Sequence, residues 1–285
     1  LKKVLIQLSM TENDESEHVA GVLESLKRFS VFDEIDVKIY VVYQAKSRNL
    51  RGLDVLALDN LSVYYTDVMS VSHARNAGLQ YAVDEGFDYI YFHDSSIVVS
   101  DQFCWLVNAS VKQSLDVSVG ALKWERSSKL MCSSLRLSNK CIRPILDHCV
   151  SRYIFKVDFV KGVRFRENMG PGEFTCIKAG EDVVFLTQLF RGKNKKIPYS
   201  DRAIVFHPPR PTDNSKQLAY AEAQGGVARW LLSSKNVSFF HCFFVVAFFF
   251  NAFLKCLRME PFSMRIFFLR VKGFLYGRKT FDGIE

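Results

Sequence analysis

Between Ser70 and Ser100 the chain passes from a polar cap through a helical pattern into an apolar strand that ends on a carboxylate. That succession restricts the fold more than any other stretch. Ser72 is the expected N-cap, Leu79, Ala82 and Val83 supply an apolar face, and Gly86 ends the helix. Tyr89 to Phe92 is short, aromatic and β-prone, so it reads as a buried strand. His93 and Asp94 then fall at its C-terminal end, where open α/β sheets bind their ligands.

The flanking pattern agrees. Val4 to Leu8 reads as a first parallel strand, Ser9 to Glu15 as a polar loop, and His18 to Phe29 as a helix with Val19, Val22, Leu23 and Leu26 on one face. Val37 to Tyr43 and Leu61 to Tyr65 are further strands. The order β-α-β-β-α-β predicts a doubly wound α/β sheet with right-handed crossovers. Farther on, Ser100 to Leu115 reads as a helix, and Val117 to Leu122 and Phe155 to Val160 as strands. Trp124 to Cys149 shows no clear period. A turn-rich loop, Gly170-Pro171-Gly172, precedes Gly180-Glu181-Asp182, which opens a helix packed through Val183, Val184, Leu186 and Leu189. Acids in a first turn suit the helix dipole, so residue type alone leaves Glu181 and Asp182 open between capping and chemistry.

Two motifs carry a resemblance. Ser72-x-Ala74-Arg75-Asn76-x-Gly78-Leu79, followed by Tyr89-Ile-Tyr-Phe-x-Asp94-x-Ser96, resembles the core of the family 2 glycosyltransferases, and Gly180-Glu181-Asp182 behind the Gly-Pro-Gly loop resembles their second signature. The resemblance implies a GT-A nucleotide-diphospho-sugar transferase fold, a mixed, mostly parallel sheet flanked by helices. It implies Asp182 as general base with Glu181 beside it, and a donor site formed by Ser9, Arg75, Asn76, Asp94, Ser96 and His207. Arg75 and His207 would face the donor diphosphate, and Glu167, Gly170 and Gly172 would face the acceptor. The family's Asp-x-Asp reads Asp94-Ser95-Ser96 here, so the third position lacks a carboxylate. Mg²⁺ or Mn²⁺ would then be held by Asp94 and His207 together with the diphosphate. The family's Thr-x-Asn is loosely echoed by Thr11-Glu12-Asn13. Its acid after the second strand has no counterpart in Tyr40-Val-Val-Tyr-Gln44.

Composition narrows the partners. A net charge of +8 calls for an anionic one, yet no element interleaves dense basic runs with aromatics, so nucleic acid is not expected. The 7 Cys include no Cys-x-x-Cys, against a disulfide framework and in keeping with a reducing compartment. Many of the 25 Phe crowd the run from Val237 to Leu254, which sits at the lower limit for a membrane span; Met264 to Phe274 mixes Phe and Ile with Arg265, Arg270 and Lys272. The expected organisation is a catalytic domain over 1–232 and a Phe-rich basic tail over 233–285 that meets an anionic membrane surface or packs on the domain or a second copy.

The expected function is inverting transfer from a nucleotide-diphosphate sugar, a UDP-sugar foremost, to a lipid-linked oligosaccharide. The setting is cell-surface polysaccharide synthesis of the O-antigen or capsule type, at the cytoplasmic face of the bacterial inner membrane. Two alternatives stand beside it: a catalytically inactive membrane-bound protein that binds sugar nucleotides or glycans, and a nucleotidyltransferase. The second would want a Gly-rich basic loop after the first strand, which Leu8-Ser-Met-Thr-Glu-Asn-Asp-Glu15 lacks.

Overall fold

In a computed structural model of the chain, Val4 to Met10 are buried on both faces of a sheet, as a strand covered by helices on each side requires. The structure describes residues 1–12, 14, 21–22, 25–31, 34–46, 60–124, 136–143, 146–173, 175–193, 196–208, 215–233 and 239–277. Asn13, residues 18–20 and 23–24 of the expected helix from His18 to Phe29, and residues 125–135 and 144–145 of the aperiodic stretch from Trp124 to Cys149 lie outside them.

The first half follows the expected order: β1 (Lys2–Thr11), β2 (Ile35–Gln44), β3 (Leu61–Thr66), helix α1 (Val71–Asp84) and β4 (Tyr89–Asp94). β1 pairs in parallel with both β2 and β4, and β2 with β3. The second half is less regular. It holds β5 (Val98–Val99), α2 (Asp101–Lys112), β6 (Val117–Lys123), β7 (Ser138–Cys141), β8 (Tyr153–Lys156), α3 (Glu181–Leu189) and β9 (Lys196–Phe206). The strands run in the order β3-β2-β1-β4-β8-β6-β9-β5, with β7 on β9. β8 is antiparallel to β4 and β6, so the uniformly parallel pattern ends at β4.

Two local expectations are corrected. The N-cap of α1 is Ser70, whose hydroxyl accepts from the His73 N–H at 3.3 Å, and not Ser72. Ser72 spends its hydroxyl on the Met169 carbonyl, 2.7 Å away. The strand expected over Phe155 to Val160 stops at Lys156, and Val157–Val160 form a helical turn. There the Val157 N–H bonds the Asp88 carbonyl and leaves the ladder.

The sheet separates two apolar layers. Val4, Ile6 and Leu8 face α2 with Phe103, Leu106 and Val107; Leu5, Ile90 and Phe92 face α1 and α3 with Ala74, Leu79 and Phe185. α1 lies so close to β1 that a Cβ on Gly78 would sit 2.1 Å from Gln7 Cγ. Only glycine fits there.

Three helices close the chain: α4 (Ser215–Ser233), α5 (Phe239–Leu257) and α6 (Ser263–Tyr276). α4 packs Ala223, Val227 and Leu231 on Met169, Ile177 and Val184. α4 and α6 cross through glycines: a Cβ on Gly273 would lie 1.9 Å from the Glu222 carbonyl oxygen, and one on Gly225 2.0 Å from that of Arg270. Lys272 pairs with Glu222 at 3.0 Å, and Arg270 bonds Gln224 at 2.8 Å. So α6, within the expected tail, is fastened to the helix that covers the Gly180 loop.

Candidate functional site

The two sequence signatures meet through backbone. The Val71 N–H donates to the Pro171 carbonyl at 3.2 Å, and the Ser70 hydroxyl to that of Glu167 at 3.3 Å. Gly172 has φ of +151°, and a Cβ there would lie 2.1 Å from the Met69 carbonyl oxygen. Gly170 and Gly172 therefore let the loop 167–172 lie flat on the start of α1, where the Gly170 carbonyl accepts from the Thr175 hydroxyl at 2.7 Å and that of Gly172 from Lys178 Nζ at 2.8 Å.

Arg75 is the centre of the arrangement. Its side chain is 4% exposed, and it donates from Nη1 to Asp182 Oδ1 at 2.6 Å and from Nη2 to Asp94 Oδ1 at 2.9 Å. Glu181 Oε1 stands 3.8 Å from Nη1, and the guanidinium lies over the Phe165 ring at 5.2 Å. Burial works against the Arg75 charge, but the carboxylates of Asp182, Asp94 and Glu181 outweigh it and keep the side chain protonated.

Each carboxylate has a second anchor. Asp94 sits at the C-terminal end of β4 and accepts from the Ser151 hydroxyl through Oδ2 at 2.6 Å; Asp182, in the first turn of α3, accepts from the Val150 N–H at 2.9 Å. The turn Val150–Arg152 thus clamps both acids from one side, while Arg75 links them from the other.

Three carboxylates share one cation, and their proton affinities diverge. Burial pushes the Asp94 carboxyl up, but Arg75 and Ser151 hold it below the usual value. For Asp182, burial prevails over Arg75 and the Val150 N–H, and the carboxyl is raised. Glu181 is raised to about 7 by burial and then by the charge of Asp182. Nearby groups stay neutral: burial pushes the Cys149 thiol to about 12 and lowers the His93 imidazole to about 4. Tyr220 of α4 has its hydroxyl raised by burial and by Glu181, so α4 reaches the edge of the site.

The other expected residues are placed as follows. Ser9 is buried at the end of β1, in register with Asp94, and its hydroxyl accepts from Gln7 Nε2 at 3.0 Å. Ser96 lies half-buried in the turn after β4. Asn76 is turned to the loop: its amide exchanges two 2.8 Å bonds with the Phe165 backbone and donates to Glu167 at 3.0 Å. Glu167 also faces His73 Nδ1 at 3.1 Å and lines a groove of about 920 Å³ with Gln80, Arg164, Gln188 and Arg191. His207 follows β9, where its N–H donates to the Lys123 carbonyl, its Nδ1 meets the Pro208 carbonyl at 2.9 Å, and its ring lies 4.7 Å from Trp124. Ser151, the Val150 N–H and Tyr220 were not expected from sequence. The first two fall beside the aperiodic stretch, and neither a lone Ser nor a backbone N–H carries a pattern.

No group of three or more His, Cys, Asp or Glu side chains is placed to hold a metal among the described residues. The described residues offer no protein cage for a divalent ion. One carboxylate, Asp94, suits an ion that keeps its waters and is bound mainly through substrate phosphates.

No protein-family model and no curated protein matches the chain. Solved structures do. S. aureus TarS 1–349 in complex with UDP-GlcNAc is similar with a TM-score of 0.64 at 18% identity, over 99% of this chain and 80% of that one. The complex of the same piece with UDP gives 0.60 at 18% identity, over 93% and 75%. A longer TarS structure gives 0.57 at 18% identity over 83% of this chain, which spans 40% of that length. The chain thus has a mixed, mostly parallel sheet flanked by helices, the fold of S. aureus TarS.

Proposed function

We propose that the protein is an inverting glycosyltransferase of the family 2 type that moves a sugar from a nucleotide-diphosphate sugar, a UDP-sugar foremost, to a lipid-linked oligosaccharide. It would act in cell-surface polysaccharide synthesis of the O-antigen or capsule type, at the cytoplasmic face of a bacterial inner membrane. The observation that carries the reading is Arg75, which joins a strand-end carboxylate, Asp94, to a helix-start carboxylate, Asp182, over 2.9 and 2.6 Å. The resemblance to family 2 glycosyltransferases implies a donor contact at the first and a base at the second. The likeness to TarS, whose structures hold UDP and UDP-GlcNAc, supports a nucleotide-sugar donor.

In this reading the donor lies over the ends of β1 and β4, near Ser9, Asp94 and Ser96. Asp182 takes the proton of the acceptor hydroxyl as its oxygen bonds the anomeric carbon, and the nucleoside diphosphate leaves from the opposite face with the bonding electrons. The raised carboxyl of Asp182 brings its basicity nearer to the working pH. The charge of Asp94 adds to burial in holding the Asp182 carboxyl up. Arg75 holds the two acids in register and offers positive charge to the diphosphate, with His207 as a second diphosphate contact. Mg²⁺ or Mn²⁺, when bound by Asp94 and the phosphates, would neutralise the leaving group. Glu167, Gly170 and Gly172 shape the acceptor side.

The test is a panel of nucleotide sugars, read by calorimetric binding and by slow release of nucleoside diphosphate with and without chelator. Asp182→Asn should keep donor binding and lose turnover by 10²- to 10⁴-fold. A chain that binds no nucleotide sugar, or an Asp182→Asn variant as fast as wild type, would sink the reading.

A further inference from the structure

α5 is satisfied on one side only. The Arg143 guanidinium lies 4.6 Å over Phe240, and Phe240 and Phe244 pack on the cluster of Met169, Val184 and Val227. Arg270 of α6 lies 4.4 Å over Phe248, and Phe249 meets Phe274 at 5.3 Å. On the opposite side Phe239, Phe243, Val246, Phe250, Phe253 and Leu257 recur at alternating four- and three-residue steps and are 45–87% exposed. The stripe is about 27 Å long at ~1.5 Å per residue. Met259, Phe262, Met264 and Phe268 continue it around the turn into α6, each more than half exposed. Soluble monomers rarely expose apolar patches this long.

We propose that this stripe docks on an anionic phospholipid bilayer, with α5 lying in the plane of the interface and not crossing it. This deepens the reading of a lipid-linked acceptor and rests on it for its purpose, though not for its physics. Charge selects the occupant. Arg258 and Arg265 stand at the turn between α5 and α6, beside Met259 and Met264, and form no ion pair among the described residues. Cations interleaved with apolar side chains suit acyl chains below and anionic headgroups beside them. A second copy docked by the same face would set these like charges around one seam.

Geometry selects the pose. A crossing helix would have to leave Arg143 and the cluster around Val227, or else draw α6 in with it. α6 would bring Arg270, bonded to Gln224 at 2.8 Å, and Lys272, paired with Glu222, into hydrocarbon. Lying flat, α5 keeps every one of these contacts and sinks only the stripe.

The test is flotation of the 285-residue chain with vesicles of phosphatidylcholine and phosphatidylglycerol, against phosphatidylcholine alone. We expect at least tenfold stronger binding to the anionic vesicles and release by alkaline carbonate. Phe243→Asp/Phe250→Asp should weaken flotation at least tenfold with an unchanged circular dichroism spectrum. Arg258→Glu/Arg265→Glu, which leaves the stripe apolar, should abolish the anionic preference. The proposal is overturned by absence of flotation, by a Phe243→Asp/Phe250→Asp variant that floats like wild type, or by carbonate-resistant insertion. It is equally overturned by a sedimenting dimer that this variant splits into monomers. Calorimetry with UDP-GlcNAc separates the two readings: a chain that floats yet binds no nucleotide sugar refutes the transferase and leaves the docking face standing.

Discussion

Replacing Glu181 with glutamine removes a charge that its surroundings resist. The side chain is 12% exposed, starts α3 beside Asp182, and stands 3.8 Å from the nearest Arg75 nitrogen. Burial, and after it the Asp182 charge, move its carboxyl from 4.5 to about 7. The folded chain therefore holds a proton between those values that the unfolded chain has already released. Stability is greatest below the unfolded value and falls as pH rises through the folded one. At ~1.36 kcal/mol per unit, the rise from 4.5 to about 7 makes ionised Glu181 cost about 3 kcal/mol by pH ~8. Glutamine carries no such penalty. Urea unfolding of both proteins at about pH 4.5 and about pH 8 should show the variant gaining about 3 kcal/mol on wild type between the two conditions. The gap between the conditions is the readout, because the amide's own hydrogen bonds change little with pH. A gap below about 1 kcal/mol, or one of opposite sign, would show that Glu181 ionises in the fold without penalty, and the account of three acids sharing one cation would fail.

Further substitutions probe the same architecture. Arg75→Ala leaves Asp94, Glu181 and Asp182 buried without their cation and should cost about 3–5 kcal/mol in urea unfolding; a loss under about 1 kcal/mol would mean that the acids are solvated or neutral. Ser151→Ala removes the 2.6 Å bond to Asp94 and should cost about 1.5–3 kcal/mol, with a fall in donor turnover that Ser151→Thr partly restores. Gly273→Ala places a methyl group 1.9 Å from the Glu222 carbonyl, so α6 must back away from α4. We expect a loss of about 1–3 kcal/mol and faster proteolysis within 263–276, and unchanged digestion would contradict the close crossing.

The parallel half of the sheet was legible because its strands are apolar runs bounded by turn residues. β2, β3 and β4 begin and end within two residues of where Val37, Leu61 and Tyr89 placed them. Local pattern failed where a tertiary bond decided between equal candidates. Ser70 and Ser72 are chemically the same cap, and what separates them is the Met169 carbonyl that Ser72 meets 97 residues away. Phe155, Val157 and Phe159 alternate with Lys156 and Asp158 as a half-buried strand would, so nothing local announces that the chain leaves the ladder at Val157 to bond Asp88. The site shows the same division. Arg75, Asp94 and Asp182 stood out because each lies in a spaced motif, and the structure brings them together. The clamp at Val150 and Ser151 is a backbone N–H and one hydroxyl, and no residue spacing marks either. Asn76 was expected at the donor, but its side chain is occupied by the Phe165 backbone, which only the folded loop reveals.

The placement of Arg75 has a consequence for how the chain reaches its native state. Its two partners are 19 and 107 residues away, one inside the parallel half and one at the start of α3. A chain that has formed only the parallel half holds a guanidinium beside Asp94 with nothing yet at Nη1. Closing the remaining span carries the entropy of a long loop, repaid only when Asp182 and the turn at Val150 arrive together. Arg75 therefore acts as a checkpoint against half-folded molecules: neither half is fully compensated until the other is in place. We expect the two halves to unfold as one cooperative unit, and fragments cut between them to remain loosely ordered until recombined.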